Sequence, residues 1–328
     1  MENILNIKNL SVSLTGKRGT VPILHDISLE VKEGHILGLV GESGSGKSMT
    51  AFAITQLLPG GRNSIVGGSI NFCGQELTEK TETELAKFRG KEIAMIFQEP
   101  MTCLNPVFTV GRQMTDVIMT HQQVNHGAAT KKALEMLEKV HIRNAERVLK
   151  CYPYELSGGM RQRVMIAIAL SCSPKLLIAD EPTTALDVTI QAQIIFLIKE
   201  ACKAAGTGVV FISHDLGVVS QLCDKIAVMY AGQIVEMGMA ADVLQDPQHP
   251  YTKALLSSIP KFTPKNDADD QLYAIPGMVP DPLEIIPGCR FAPRCPYALD
   301  ICHQEAPPLK ELEAGHSLHC HLQEEVGC

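Results

Sequence analysis

Residues 41–48 read Gly-Glu-Ser-Gly-Ser-Gly-Lys-Ser, the full pattern of a phosphate-binding loop. Its glycines let the backbone curl until several N–H groups face one anion, at the start of a helix whose dipole favours negative charge. Lys47 is placed to neutralise the β- and γ-phosphates of a nucleotide, and the Ser48 hydroxyl to bind Mg²⁺. Gly41, Glu42, Ser43, Gly44, Ser45 and Gly46 form the rest of the cradle. The apolar run Leu176-Leu177-Ile178-Ala179 ends in Asp180-Glu181. An acid at the end of a buried strand can reach the water shell of Mg²⁺, which suits Asp180. Glu181, one residue on, can orient or deprotonate an attacking water. An Asp-Glu pair after a strand is common by itself; with a phosphate loop upstream it points to nucleotide hydrolysis.

A second constellation lies near the C-terminus. Cys289, Cys295, Cys302 and Cys320 follow a C-x5-C-x6-C-x17-C spacing among Pro287, Pro293, Pro296, Pro307 and Pro308. Thiolates on a segment without a core of its own suggest a metal that holds it together. Zinc more often shows tight C-x2-C pairs, whereas looser spacing suits an iron–sulfur cluster at least as well. His303, His316, His319 and His321 keep zinc as a rival, and four unligated cysteines remain a third reading. Six more cysteines, Cys73, Cys103, Cys151, Cys172, Cys202 and Cys223, are scattered in mostly apolar surroundings and read as small buried hydrophobes.

The elements that must position these residues follow from hydrophobic periodicity. Residues 1–35 alternate polar and apolar, as half-buried antiparallel strands do. Ile36–Val40, Leu176–Ala179 and Val209–Ile212 are continuous apolar runs, consistent with strands buried on both faces. Helices are expected from about Lys47 to Leu58 and from Val188 to Lys203, and a hairpin over Ile226–Tyr230 and Gln233–Glu236. The alternation implies an α/β fold: a P-loop NTPase core with an antiparallel β subdomain. Residues from about 105 to 160 are helix-prone and read as an inserted helical subdomain. Lys261–Asp270 is a charged linker, which divides the chain into a nucleotide-binding domain over 1–260 and a small Cys/Pro-rich extension over 261–328.

Composition sets the bounds. With 45% hydrophobic and 20% charged residues the chain can bury a sizeable core, and a net charge of −7 argues against a dedicated nucleic-acid binder. No segment reaches the ~18–20 apolar residues of a spanning helix, and Met1-Glu2-Asn3-Ile4 lacks the start of a secretory signal. The expectation is a cytosolic chain without disulfides that meets a membrane through partners.

At Leu156-Ser157-Gly158-Gly159-Met160-Arg161-Gln162-Arg163 the sequence resembles the signature of ABC ATPases, with Met160 where the family usually has Gln. The resemblance implies that Ser157, Gly158 and Gly159 bind the γ-phosphate held by a second ATPase subunit in a head-to-tail dimer. It also implies that Gln98 senses Mg²⁺, that Asp187 of Thr184-Ala185-Leu186-Asp187 communicates across the dimer, and that His214 contacts the γ-phosphate. The family usually stacks an aromatic on adenine; residues 11–24 hold none, which leaves Leu14 or Val21 for the base and implies weaker discrimination against GTP.

His249-Pro250-Tyr251-Thr252, Leu255-Leu256, Pro260 and the stretch from Gly288 to Cys302 resemble the dipeptide/oligopeptide/nickel importer group. That likeness implies two transmembrane permease subunits, a paralogous second ATPase, an extracytoplasmic solute-binding protein and a place on the cytoplasmic face of the membrane. It also implies ATP and Mg²⁺ as ligands and, in some members, a [4Fe–4S] cluster at the four C-terminal cysteines. The alternative is a soluble ABC ATPase acting on nucleic acid or in iron–sulfur assembly; no coiled-coil insertion or basic stripe supports it.

Overall fold

Three short runs, Ile36–Val40, Leu176–Asp180 and Gly208–Ser213, are buried at every position. Strands covered on both faces must lie inside a parallel sheet, and the remaining elements wrap around them. The computed structural model describes residues 2–16, 19–99, 103–183, 188–259, 275–312 and 315–322.

From the N-terminus, strands β1 (Asn3–Gly16), β2 (Gly19–Lys32) and β3 (Ile36–Val40) lead into helix α1 (Lys47–Thr55). Strands β4 (Ile65–Phe72) and β5 (Gln75–Glu76), helix α2 (Glu82–Phe88) and strand β6 (Ile93–Ile96) follow. Helices α3 (Val110–Gln122), α4 (His126–Lys139), α5 (Ala145–Lys150) and α6 (Gly158–Leu170) come next. Alternation resumes with β7 (Leu176–Asp180), α7 (Val188–Ala205), β8 (Gly208–Ser213), α8 (Leu216–Leu222), β9 (Lys225–Tyr230) and β10 (Gln233–Met239). The chain closes with α9 (Ala240–Gln245), α10 (Pro250–Ser257), α11 (Asp300–Gln304), β11 (Leu309–Glu311) and β12 (Ser317–His319).

The large sheet has eight strands in the order β11-β12-β10-β9-β3-β8-β7-β6, and a second sheet has four in the order β2-β1-β4-β5. β3 sits between β8 and β9, all parallel, with Val40 opposite Ser213; β7 is parallel to β8, with Asp180 opposite Ile212. The carboxyl ends of β3, β7 and β8 are therefore level, where ligands bind in parallel α/β sheets. One core fills the space between the two sheets around Ala51 and Ile54 of α1; the other joins the opposite face of the large sheet to α3–α6. Three of the insertion's helices, α3, α4 and α6, start on side-chain caps: Thr109, Asn125 and Ser157 accept from the N–H groups of Arg112, Ala128 and Met160.

The C-terminal segment shares the core of the sheet. β12 adds to β10, with Leu318 opposite Glu236, and Phe291 packs at 5.2 and 5.3 Å from the rings of Tyr230 and Tyr251. Its order comes from contacts remote in sequence, which three-residue strands cannot announce by periodicity. The reading of the six scattered cysteines needs correction. Cys202 and Cys223 are buried, but Cys151 and Cys172 are half-buried and Cys73 and Cys103 exposed. Cys73 lies in the turn between β4 and β5, where the chain runs over the surface whatever the neighbouring apolar residues do.

Candidate functional site

The phosphate loop links β3 to α1. At Gly41 (φ 151°) an added Cβ would lie 2.1 Å from the Met229 carbonyl oxygen; at Gly46 (φ 103°) it would lie 2.8 Å from Leu24. The loop is thus pressed against β9 and β2, and only glycine fits. Lys47 donates from Nζ to the carbonyls of Gly41 at 2.9 Å and Glu42 at 2.8 Å, which holds its ammonium over the loop. Burial pulls its pKa below the usual lysine range, opposed by Glu181, Asp180 and Glu42.

Ser48 Oγ donates to Asp180 Oδ1 at 3.1 Å, so both residues read from sequence as Mg²⁺ ligands meet. Burial raises the Asp180 pKa, against the Ser48 hydrogen bond that lowers it. Next to it, Glu181 takes a left-handed backbone (φ 44°) and donates its N–H to the Ile212 carbonyl at 3.0 Å. Such a backbone is uncommon away from glycine and clusters at functional sites. Glu181 Oε2 accepts from Gln98 Nε2 at 2.9 Å and lies 3.4 Å from His214 Nδ1. Lys47, Ser48, Gln98, Asp180, Glu181 and His214, drawn from four separate loops, therefore gather at one sheet edge.

Ser157, Gly158 and Gly159 are elsewhere. Ser157 and Gly159 line a cleft with His141, Arg143, Arg163 and Ile190, apart from the chain's own phosphate loop. Ser157 caps α6, leaving the amides at that helix start facing outward. Asp187, with Thr184–Leu186, falls outside the described residues. A separate groove of about 360 Å³ between the α/β core and the helical insertion is lined by Phe97, Cys103, Leu104, Gln113, His121 and Met165. Sequence reasoning missed Gln162, whose Nε2 donates to the Pro182 carbonyl at 2.6 Å and ties α6 to the segment after Glu181. Its signal was an amide side chain one turn inside the signature helix.

Cys289, Cys295, Cys302 and Cys320 line one small cavity with His249, Phe291, Tyr297 and His321. Burial pushes the Cys289 thiol up to about 11 and raises Cys295 and Cys320 as well. His321 Nδ1 is buried there without a hydrogen-bond partner. Of the rival zinc ligands, His316 is spent on buried Glu236, at 2.8 Å, and His319 faces the Pro307 carbonyl at 3.0 Å. Among the described residues no three Cys, His, Asp or Glu side chains come close enough to hold a single metal ion. The expectation of a metal site therefore gains a shared cavity and no ready-made coordination sphere.

This two-part phosphate site, carried by a parallel sheet with a helical insertion, defines a P-loop ATPase of the ABC type. Residues 24–184 match the ABC transporter family, and residues 235–302 match the oligopeptide/dipeptide transporter C-terminal region. The oligopeptide transport ATP-binding protein AppD of Bacillus subtilis is 48% identical over 100% of this chain and 99% of its own length. The oligopeptide transport ATP-binding protein OppD of Escherichia coli is 47% identical, over 97% of this chain and 92% of its own. The ADP- and phosphate-bound dimer of the cassette MJ0796 superposes with a TM-score of 0.65 at 27% identity, covering 72% of this chain and 98% of that one. The chain belongs to the ABC transporter ATP-binding proteins, in the oligopeptide/dipeptide group, and is an ATP-hydrolysing subunit of that class. No described helix is long and apolar enough to cross a membrane.

Proposed function

We propose that this chain drives an importer for di- or oligopeptides, working at the cytoplasmic face of the membrane with two permease subunits, a paralogous ATPase and a solute-binding protein. The relatives named for oligopeptide transport support this reading over a nucleic-acid or cluster-assembly ATPase. The observation that carries the chemistry is the convergence of Gln98 and His214 on the Glu181 carboxylate beside Lys47 and Ser48. On this proposal residues 1–260 form the nucleotide-binding domain, with the helical subdomain at about 105–160, and 261–328 the extension.

Lys47 and the amides of residues 41–46 hold the phosphates. Ser48, Asp180 and Gln98 would hold Mg²⁺, which would supply charge neutralisation on the phosphate oxygens. Glu181 orients the attacking water and takes its proton, and His214 steadies the γ-phosphate. Ser157, Gly158 and Gly159, facing away from their own loop, complete the site of the other ATPase subunit, and Asp187 communicates across the dimer. The groove beside Phe97 and Leu104 takes the permease, so that closure of the ATPases reaches the membrane through residues 98–110. The test is co-purification in mild detergent followed by reconstitution. Two multi-span proteins, a second ATPase and peptide-stimulated hydrolysis support the proposal; recovery of soluble partners or nucleic acid alone overturns it.

At the four C-terminal cysteines we infer a [4Fe–4S] cluster, with zinc as its rival. What supports this reading is that the four line one cavity and that their loose spacing suits a cluster. A cluster would tie the segment to the core. Anaerobic purification with iron, sulfide and zinc analysis and electron paramagnetic resonance decides it: four irons per chain supports the cluster, and stoichiometric zinc or no metal refutes it.

A further inference from the structure

The second residue of the phosphate loop is held by the C-terminal segment. Arg294 Nη1 donates to Glu42 Oε2 at 2.7 Å and Nη2 to Oε1 at 3.1 Å, a two-pronged pair with the Arg294 side chain only 5% exposed. Arg294 is itself fixed by the carbonyls of Pro276, at 2.9 Å from Nε, and Ile275, and by the Tyr230 hydroxyl. The Glu42 N–H donates to the Tyr251 hydroxyl at 2.9 Å, and the Glu42 carbonyl accepts from Lys47. All three polar parts of Glu42 are thus engaged, and the carboxylate only by Arg294 among the bonds described. A second route runs in parallel: Arg290 Nη2 lies 3.2 Å from His25 Nδ1, the His25 N–H bonds the Gly232 carbonyl, and the Gly232 N–H bonds the Ser45 carbonyl.

A carboxylate one residue from Ser43, on a loop built to bind polyphosphate, repels the ligand unless it is neutralised. A surface lysine would do so weakly and with salt dependence; a buried guanidinium fork does so with fixed geometry. We propose that Arg294 is a positioning residue of the phosphate site, cancelling the Glu42 charge and pinning the loop, so that the C-terminal cysteine-bearing module helps set nucleotide affinity. This rests on the reading of residues 41–48 as the nucleotide cradle. It makes Glu42 a liability that the extension relieves, which distinguishes it from a purely structural contact. Charge removal at Glu42 then compensates for loss of Arg294, whereas two lost packing contacts accumulate.

The test is equilibrium binding of Mg–ATP to the full chain in four forms: wild type, Arg294→Met, Glu42→Gln and the double variant. Arg294→Met weakens affinity roughly tenfold, as expected for a half-buried carboxylate left unpaired beside the ligand, and the double variant returns to within about threefold of wild type. Glu42→Gln alone tightens binding about threefold, more so at low salt; this arm stands even where Arg294→Met fails to fold. An Arg294→Met change below twofold, a double variant as weak as the single, or Glu42→Gln binding that is unchanged or weaker overturns the proposal. If the wild-type chain itself binds no ATP, the cradle reading fails and the proposal falls with it.

Discussion

Gln98 donates from Nε2 to Glu181 Oε2 at 2.9 Å, although 83 residues separate them. The end of β6 and the end of β7 are brought level by parallel pairing, Ile96 opposite Ala179, so the amide reaches the carboxylate that follows Asp180. On the proposed roles, the group that would sense the metal and the group that would handle water are therefore in direct contact.

Glu181→Gln keeps the size and the contact with Gln98 but removes the base. Mg–ATP binding is expected to persist, hydrolysis in the assembled complex to fall roughly 100-fold or more, and a closed dimer to accumulate with ATP. Phosphate release and analytical ultracentrifugation measure both. Near-normal turnover would remove Glu181 from its role.

Leu14 and Val21, the residues expected to meet the base in place of an aromatic, are cross-strand partners on β1 and β2, both half-buried. Aliphatic contact lacks the directional stacking of a ring. ATP and GTP are expected to bind within about tenfold of each other, and Leu14→Tyr to favour ATP by several-fold. A strong native preference for ATP in competition binding would contradict this.

Burial, reinforced by Arg290, lowers the His25 pKa from 6.5 to about 4. The folded state therefore binds fewer protons than the unfolded chain between these values. The stability this neutral ring contributes is present above pH 6.5 and lost as pH falls toward 4. Discounted for the ring's partial exposure, the loss is roughly 1–2 kcal/mol. Thermal melts from pH 7 to 4.5 should show a smaller decline in His25→Asn than in wild type; equal slopes would exclude His25 as a source.

Phe291 is 1% exposed and touches Tyr230, Tyr251 and His249. Phe291→Ala is expected to cost about 3–5 kcal/mol and to loosen the C-terminal segment first. Hydrogen exchange over residues 289–322 provides the readout, and unchanged protection there would mean that the segment is anchored elsewhere.

The phosphate loop, the Asp-Glu strand end and the signature were legible along the chain because each is a contiguous run whose residue types its chemistry dictates. Buried strands showed as apolar runs for the same reason: a strand covered on both faces has no polar side. The convergence of Gln98 and His214 on one oxygen of Glu181, the Gln162–Pro182 bond and the Arg294–Glu42 pair are contacts between distant segments. They depend on strand order and register, which local pattern does not encode. The exposure of Cys73 and Cys103 was misjudged likewise, since burial is a property of neighbours in space. Sequence alone determined which groups this protein has for phosphate chemistry; the tertiary structure decided which of them meet, because only the packed sheet brings four loop ends to one edge and lays the C-terminal arginine against the loop's second residue.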